Sequence, residues 1–427
     1  MHLAEPRDGL PPLLDTAEAI ADGARRLAAG HGPIAVDTER ASAFRFDERA
    51  FLVQLRRPGT GTLLIDPTGS ASGSTVSASA FSGSAFSGSA FSAAMDQLGR
   101  VMNSAEWILH AAHTDLPALT TLGWRPTRLH DTQIAGRLLG MGQPGLAAML
   151  EEFLDITIDK DKGRENWSAR PLTTDLLTYA ALDVELLHEL LDIVLPLLQA
   201  RGRLDWYVQD CAADLRKARP LKVPTWTNLK GIQSLRTPRS VAVARGLAEA
   251  RIAFAQQRDR PLERTMSSKD IVALAKQPHS AKRSLGTMRM AKDLVAPARQ
   301  AISHAMALRE AELPAPLPRS SQGYPDHRNW EDDYPHAFAA LRVLEQQVEQ
   351  LAEELEISRE SLAVMRQIRP AAWAVSHVEL DSCDADDPVG AMENELGSVL
   401  KANGARDWQS ELILNRSVPV LIEALTG

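Results

Sequence analysis

The sequence predicts an α/β domain of roughly 200 residues, followed by domains that are helical throughout. Three short apolar runs come close together early in the chain and indicate strands. Helices then alternate with further strands up to about residue 215. Beyond this point the pattern is helical only, with proline-rich connections. At 427 residues, the chain is long enough for two or three domains.

Charge is distributed unevenly along the chain. The net charge is −8 overall, but the segment from Arg216 to Arg309 contains 20 Lys and Arg residues and only five acidic ones. A basic segment between acidic parts indicates a separate module and favours a polyanionic partner. A merely solvated basic surface would give the same pattern, so this alternative stays open.

The composition also suggests where the protein works. The apolar runs are too short to span a membrane, and the N-terminus lacks a basic region followed by an apolar one. Cys211 and Cys383 are far apart in the sequence and form no pattern typical of a zinc site or of a disulfide framework. We therefore expect a reducing, cytoplasmic environment.

The first strands lead to two acidic residues. Residues 14–29 predict a helix, and the apolar run that follows it ends in Asp37-Thr-Glu39, as in a buried strand that emerges at a sheet edge. Residues 51–55 and 62–66 predict two more strands around a turn. Three strands with such short connections predict an antiparallel meander.

A low-complexity segment interrupts this pattern. Residues 69–94 are almost wholly Ser, Ala, Gly and Phe, and the sequence AFSGS repeats within them. A period of five residues fits neither a helix nor a strand, so we predict a flexible insertion in a surface loop. A role of Phe81, Phe86 and Phe91 in docking a partner stays open.

Further strands and helices complete the α/β domain. Residues 106–110 predict a strand, and Asp115 follows at the opening of a helix. A last amphipathic helix is predicted over residues 172–194. It carries Tyr179 and Asp183 four residues apart, so that the phenol and the carboxylate share one face.

The carboxylates suggest metal chemistry if they converge. Asp37 and Glu39 share a strand face because side chains alternate along a strand. Carboxylates crowded into one site repel unless cations neutralise them, and their hard oxygen ligands suit Mg²⁺ or Mn²⁺. Two such ions about 3.5–4 Å apart commonly promote phosphodiester hydrolysis. Tyr179 would orient the attacking water, because a phenol of pKa near 10 rarely accepts a proton at neutral pH.

Each of these residues also has a plainer interpretation. Asp37 and Glu39 could simply end a strand, and Asp115 could cap a helix whose first turn contains Pro117. Asp183 could be a solvated acid on a helix surface. The site is therefore predicted from the set of residues rather than from any one of them.

We predict four segments: the α/β domain over 1–215, a basic helical domain over 216–312, a proline-rich linker over 313–334, and a second helical domain over 335–427. In the basic domain, helices are predicted near 239–257, 267–276, 281–288 and 295–312. In the last domain they are predicted near 335–355, 358–367, 388–402 and 406–425.

Three motifs resemble those of the DEDD family of exonucleases: Val36-Asp37-Thr38-Glu39, the segment from His110 to Asp115, and the segment from Tyr179 to Asp183. The last motif resembles the tyrosine-type branch, since Thr178 stands where the histidine branch has its His. The stretches 64–67, 131–135 and 166–172 resemble the ribonuclease D family. Residues 244–276 resemble an HRDC domain, a helical nucleic-acid-binding module, and 405–425 resemble a second, weaker one.

The resemblance implies a ribonuclease-H-like (DnaQ-like) sheet flanked by helices and followed by all-α HRDC domains. It implies hydrolytic 3′→5′ removal of nucleotides from RNA, typically at tRNA 3′ ends, with two Mg²⁺ or Mn²⁺ ions. Asp37, Glu39, Asp115 and Asp183 carry over as metal ligands, and Tyr179 as the residue that positions water. We accordingly expect RNA as the partner, no membrane association, and a monomer.

Two departures and two alternatives accompany this resemblance. The insertion at 69–94 is not part of the family pattern, and the second helical domain is acidic, which leaves its contact with RNA open. A related DNA exonuclease is one alternative function. A nucleic-acid-binding protein that retains the fold without activity is the other.

Overall fold

The structure, a computed structural model, describes residues 1–69, 89–142, 144–159, 162–317, 323–378 and 387–426. Its strands are β1 (His2–Leu3), β2 (Leu13–Leu14), β3 (Ile34–Arg40), β4 (Ala50–Arg57), β5 (Gly61–Ile65), β6 (Trp107–Leu109), β7 (Leu129–Asp131) and β8 (Thr157–Ile158). The helices that accompany them are α1 (Ala17–Ala29), α2 (Ala90–Asn103), α3 (Leu116–Thr121), α4 (Thr132–Leu138), α5 (Leu146–Leu154), α6 (Thr174–Glu185), α7 (Leu187–Ala200) and α8 (Leu204–Lys217).

The rest of the described chain is helical. Its helices are α9 (Pro238–Arg258), α10 (Leu262–Thr265), α11 (Ser268–Lys276), α12 (Pro278–Ser284), α13 (Val295–Ala307), α14 (Trp330–Asp333), α15 (Pro335–Glu354), α16 (Arg359–Leu362), α17 (Met365–Val375), α18 (Pro388–Ala402) and α19 (Asp407–Thr426). The predicted fold class, an α/β domain followed by helices only, is confirmed.

A six-stranded mixed sheet forms the centre of the α/β domain, in the order β2-β5-β4-β3-β6-β7. The strands β3, β4 and β5 pair antiparallel, which confirms the predicted meander, whereas β6 runs parallel to β3 and β7 parallel to β6. β3 is therefore an interior strand. Its first residues, Ile34, Ala35 and Val36, are fully buried, and its acidic residues follow directly.

The predicted helix over 172–194 is wrong in one respect, because the structure divides it into α6 and α7. The break lies at Leu186, whose backbone (φ −109°, ψ 5°) departs from helical geometry. α6 packs on β3, β4 and β5, while α7 packs on α4, α5 and β6. Buried apolar residues continue from Val184 in α6 through Leu186 to Leu187 and Leu190 in α7, so the apolar pattern runs through the break and does not reveal it.

The predicted insertion over 69–94 is also wrong at its C-terminal end. Residues 90–94 form the beginning of α2, and the side chain of Ser89 caps the helix by accepting a hydrogen bond from the Ser92 amide at 3.1 Å. Ala94 and Leu98 are buried, and α2 packs against α1. The AFSGS repeats, with Phe81 and Phe86, lie outside the described residues.

The helical part comprises two units that differ in their packing. Apolar residues from 229 to 305, among them Val243, Ile271 and Ile302, form a hydrophobic core separate from that of the α/β domain. We call the described residues 225–317 the basic helical unit. The described residues from 323 to 426, which we call the C-terminal unit, instead share one continuous core with the α/β domain.

The C-terminal helices dock on α8. The rings of Trp206 and Trp408 stack at 4.5 Å, and the Arg406 guanidinium lies 2.9 Å from the Asp210 carboxylate. Trp330 is fully buried although it falls within the predicted linker over 313–334, so this part of the linker is packed. The domain limits given above stay predictions.

Two further observations concern membrane-spanning helices and the cysteines. Among the described residues, we find no helix that is both long enough and apolar enough to cross a bilayer. Cys211 is buried in α8 as a free thiol, and Cys383 lies outside the described residues.

Candidate active site

Asp37 and Glu39 lie near the end of β3, between β4 and β6. In the antiparallel ladder, Asp37 faces Gln54 and Glu39 faces Leu52 on β4. Glu39 is only 6% exposed, because the sheet is covered at this point. The predicted alternation thus brings both carboxylates to one face of the strand.

α6 brings Asp183 to these two carboxylates. Thr173 caps the helix, and the residues around Asp183, including Ala180, Leu182 and Val184, are buried where α6 packs on the sheet. One carboxylate oxygen from each of Asp37, Glu39 and Asp183 lies within 4.8 Å of the others. The structure therefore joins a strand and a helix that are far apart in the sequence at a single acidic site.

Asp115 lies beside this group and points toward β3. Its Oδ1 accepts a hydrogen bond of 2.5 Å from the Thr38 hydroxyl, and its Oδ2 accepts one of 2.7 Å from the Thr114 hydroxyl. Asp115 does precede α3, but its side chain makes no capping hydrogen bond. Asp115 thus stands at the N-cap position that the plainer interpretation gives it, but its carboxylate is turned to Thr38 and Thr114 instead of capping the helix.

Asp131 supports the loop that carries Asp115. Its carboxylate accepts hydrogen bonds of 3.0 Å and 2.8 Å from the amides of Ala111 and Ala112, and it also caps α4. Ala111 has a left-handed backbone (φ 59°), which these bonds help to hold. In the sequence, Asp131 stands out only as the first residue of the stretch 131–135 that resembles the family. Its position at a strand end before a helix was the available signal of this role.

Tyr179 lies one helical turn before Asp183, on the side of Trp167. The two rings are 6.2 Å apart, and the Trp167 ring is fully buried. A buried ion pair at 2.6 Å between Arg170 and Asp66 fixes the segment that contains Trp167, and Arg170 also donates to the Phe51 carbonyl at 2.8 Å. The stretches 64–67 and 166–172 thus meet in the fold and form the surroundings of Tyr179.

Burial and mutual repulsion act on the acidic group. Burial raises the pKa of Asp37 well above its ordinary value, and the charges of Asp115 and Asp183 raise it further. The pKa of Glu39 is also raised well above its ordinary value by burial, with the charge of Asp37 as the next cause. Uncompensated, these carboxylates favour protonation over charge.

One cation compensates part of this charge. Burial raises the pKa of Asp115, but the charge of Arg40 opposes the shift. The Arg40 guanidinium lies 4.0 Å from Asp115 Oδ1 and donates a hydrogen bond of 2.6 Å to the Thr114 carbonyl. Sequence analysis did not single out Arg40, although its place directly after Glu39 was visible.

The donor set fits a hard divalent cation. The converging groups are carboxylate oxygens, close together and partly buried, and bound cations would relieve the repulsion that raises their pKa values. Neither His nor Cys belongs to the group that the structure brings together, which is unlike most zinc sites. The site thus fits Mg²⁺ or Mn²⁺ on its own chemistry.

Known proteins share this sequence and fold. A family model described as 3′-5′ exonuclease matches residues 13–199, and one described as 3′ to 5′ exonuclease C-terminal domain matches residues 323–425. Ribonuclease D of Escherichia coli (strain K12) is 27% identical over 78% of this chain and 83% of its own length. Ribonuclease D of Shewanella sp. (strain ANA-3) is 35% identical over 40% of this chain. In sequence, the chain is thus similar to proteins named ribonuclease D.

Solved structures share the fold over most of the chain. A protein from Bifidobacterium adolescentis is 31% identical, and the comparison covers 100% of this chain and 99% of that one with a TM-score of 0.77. The crystal structure of Escherichia coli RNase D gives a TM-score of 0.65 at 23% identity, covering 92% of this chain and 98% of that one, which shows a common fold. In sequence, the chain spans only 46% of the length of the Shewanella ribonuclease D.

These comparisons confirm the family resemblance, and they leave some finer predictions untested. The match over 323–425 covers most of the predicted second helical domain. Neither matched family model is described as HRDC, so the assignment of both helical domains to that module stays a prediction. The roles of the individual site residues also stay predictions and are taken up next.

Proposed function

We propose that the chain is a metal-dependent 3′-5′ exoribonuclease that removes nucleotides from RNA 3′ ends, including those of tRNA precursors. One observation carries this proposal: carboxylates of Asp37, Glu39 and Asp183 converge within 4.8 Å in a chain that is similar to ribonuclease D proteins. Asp115 adds a fourth carboxylate next to Asp37. A site of this composition suits phosphodiester hydrolysis.

Asp37, Glu39, Asp115 and Asp183 would hold two Mg²⁺ or Mn²⁺ ions. Ions bound there would make a water molecule nucleophilic at neutral pH and neutralise the negative charge of the phosphate. The protein's own contribution is to keep the carboxylates oriented before substrate arrives. Thr38 and Thr114 do so for Asp115, and the packing of α6 on the sheet does so for Asp183.

Tyr179 would orient the attacking water by a hydrogen bond from its phenol. It lies on the same face of α6 as Asp183 and beside the buried ring of Trp167, which restricts its movement. A phenol keeps its proton at neutral pH, so Tyr179 positions the water and does not act as the base. Holding a reactant in attack geometry is itself a large part of catalysis.

The basic helical unit would supply binding to the phosphate backbone. Residues 225–317 carry 16 basic and seven acidic residues in a chain of net charge −8. Phosphate contacts of this kind give affinity without reading sequence, which suits an enzyme that acts on many RNA 3′ ends. A monomer in a reducing cytoplasm stays the predicted setting.

The test is a substrate comparison with the purified full chain. A 5′-labelled tRNA precursor, a single-stranded RNA and a single-stranded DNA are each incubated with Mg²⁺, with Mn²⁺ or with EDTA. We expect RNA products that shorten one nucleotide at a time and disappear in EDTA. Cleavage of DNA in preference to RNA would favour the DNA exonuclease, and binding without cleavage would favour the non-catalytic alternative.

A further inference from the structure

Asp259 joins the basic helical unit to the α/β domain. It ends α9 and has a left-handed backbone (φ 45°), which turns its side chain away from the helix that precedes it. Asp and Asn adopt this conformation more readily than most residues. Its carboxylate faces the loop of residues 41–49, which leaves β3 two residues after Glu39.

Four hydrogen bonds from this loop end on the Asp259 carboxylate. Arg49 donates two, at 2.7 Å and 3.4 Å, and Arg45 donates one at 3.2 Å. The backbone amide of Phe46 donates the fourth at 3.1 Å. Charge-assisted bonds with two guanidinium groups on one carboxylate form a strong and directional contact.

The electrostatics of this contact agree with its geometry. Burial alone raises the pKa of Asp259, but the hydrogen bonds and charge of Arg49, with smaller contributions from Phe46 and Arg45, outweigh burial, so that the net pKa is lowered. The side chain is 17% exposed, while those of Arg45 and Arg49 are 36% and 31% exposed. Such a partly desolvated group is costly to leave without its partners.

The basic helical unit needs such a contact because its hydrophobic core is separate from that of the α/β domain. A second link lies close by, where the Arg264 guanidinium sits 5.3 Å from the centre of the Phe44 ring. Phe44 in turn packs in the same small apolar cluster as Tyr179. The loop of residues 41–49 therefore lies between the basic helical unit and the surroundings of the candidate active site.

Exposed arginines surround Asp259 on its own side of the contact. Arg258, Arg260 and Arg264 are all exposed, and they lie within five residues of Asp259 in the sequence. A carboxylate repels a polyanion, so Asp259 does not itself bind the phosphate backbone. Its four bonds to the loop instead determine where these arginines stand relative to the active site.

We propose that Asp259 is a positioning residue that fixes the basic helical unit beside the active site. Through this contact, the exposed arginines hold the phosphate backbone of RNA upstream of the 3′ end. The inference rests on the proposed exoribonuclease function and adds a determinant of substrate length to it. Binding of an RNA that is long enough to reach these arginines depends on Asp259. Binding of a dinucleotide, which occupies only the active site, does not.

Asp259→Asn is the test variant, because Asn keeps the preference for a left-handed backbone but removes the charge. The matched control is Asp293→Asn in the same unit, whose carboxylate pairs with exposed Arg258 at 3.3 Å. Both variants are compared with the wild type on a single-stranded RNA of about 30 nucleotides and on a dinucleotide. Arg49→Gln removes the same contact from the side of the α/β domain.

For Asp259→Asn we expect KM for the long RNA to rise by about 30-fold or more, as for truncation of one partner of a desolvated charge pair, with dinucleotide turnover unchanged. Arg49→Gln should give the same pattern, and the double variant should lose little more, because both remove one interaction. Hydrogen exchange at the Phe46 amide should accelerate in Asp259→Asn and should stay unchanged in Asp293→Asn. Asp293→Asn should resemble the wild type throughout.

Two results would overturn the proposal: equal behaviour of Asp259→Asn and Asp293→Asn on the long RNA, or an equal loss on both substrates. Failure of the proposed function looks different, since the wild type itself would then hydrolyse neither substrate. In that event, fluorescence anisotropy with the uncleaved RNA and exchange at the Phe46 amide still measure the contact. Unchanged anisotropy and unchanged exchange in Asp259→Asn would refute it independently of catalysis.

Discussion

Thr38 donates a hydrogen bond of 2.5 Å to Oδ1 of Asp115, a residue 77 positions away in the sequence. Both side chains are buried, and Thr38 lies between Asp37 and Glu39 on β3. The strand that supplies two carboxylates of the site thus also orients a third.

Replacing Thr38 by Val keeps the volume of the side chain and removes this donor. We expect the affinity for Mg²⁺ or Mn²⁺ to fall by about 10–100-fold, as is typical when a group that orients a metal ligand is lost. Isothermal titration calorimetry measures the affinity directly. The control is Thr62→Val, which alters another buried strand threonine whose hydroxyl contacts Arg56 instead. Equal metal affinity in both variants would show that the Thr38 hydroxyl does not contribute to metal binding.

Asp183→Asn should lower kcat by at least about 10²–10³-fold, the typical cost of losing one group that stabilises charge in the transition state. The fold should persist, because Asn has nearly the same shape. In EDTA the variant should even be more resistant to heat than the wild type, since it removes one of the repelling charges that act on Asp37. Thermal unfolding and a nuclease assay measure the two effects.

Asp175→Asn is the matched control for this variant. Asp175 lies in the first turn of the same helix, but its side chain is 88% exposed and faces Lys162 at 3.5 Å. Exposed ion pairs contribute about 1 kcal/mol or less, so activity should stay near that of the wild type. Full activity in Asp183→Asn would disprove the metal-ligand assignment.

Tyr179→Phe should slow turnover by about 10²-fold or more while RNA binding stays nearly constant, because the phenol acts on the water in the transition state and not on the bound RNA. Single-turnover kinetics give the rate, and anisotropy in Ca²⁺ gives the binding. Tyr334→Phe, at an exposed position in the C-terminal unit, is the control. A rate equal to that of the control would exclude Tyr179 from the mechanism.

His110 predicts a dependence of stability on pH. Burial lowers its pKa from 6.5 to about 4, and its Nε2 has no hydrogen-bond partner among the described residues. The unfolded chain therefore binds more protons between these pH values, and the folded protein loses stability as the pH falls through this range. At about 1.4 kcal/mol per pKa unit, the contribution is on the order of a few kcal/mol.

Urea denaturation of the wild type, His110→Gln and His279→Gln at about pH 7 and about pH 5 tests this dependence. The loss of unfolding free energy on acidification should be smaller in His110→Gln than in the wild type. His279 is exposed in the basic helical unit, so its substitution serves as the control. An equal loss in all three proteins would contradict the lowered pKa of His110 in the folded state.

The basic helical unit should determine how RNA binding depends on salt. Lys282 and Arg283 are adjacent and exposed on α12, which makes them suitable for neutralisation. Changing both to Gln should reduce the slope of log affinity against log salt by about one for each phosphate contact that is lost. Arg342→Gln, which removes an exposed charge from the C-terminal unit, should leave the slope unchanged. Binding assays over a range of salt concentrations give the slope for each variant and so distinguish the double variant from Arg342→Gln.

Local patterns were enough to predict much of the fold and the composition of the site. The alternation of side-chain direction along β3 placed Asp37 and Glu39 on one face, and helical spacing did the same for Tyr179 and Asp183. Both are consequences of backbone periods that act over a few residues. The break at Leu186 escaped prediction because the apolar period of α6 continues into α7.

The sequence by itself determined which carboxylates the protein has and which of them share a strand or a helix face. Only the tertiary structure decided that Asp37, Glu39 and Asp183 converge, that Thr38 orients Asp115, and that Asp259 joins the basic helical unit to the loop after β3. The physical reason is that these contacts link distant segments. Their geometry depends on how the sheet, α6 and α9 pack, and no local period of the chain encodes that packing.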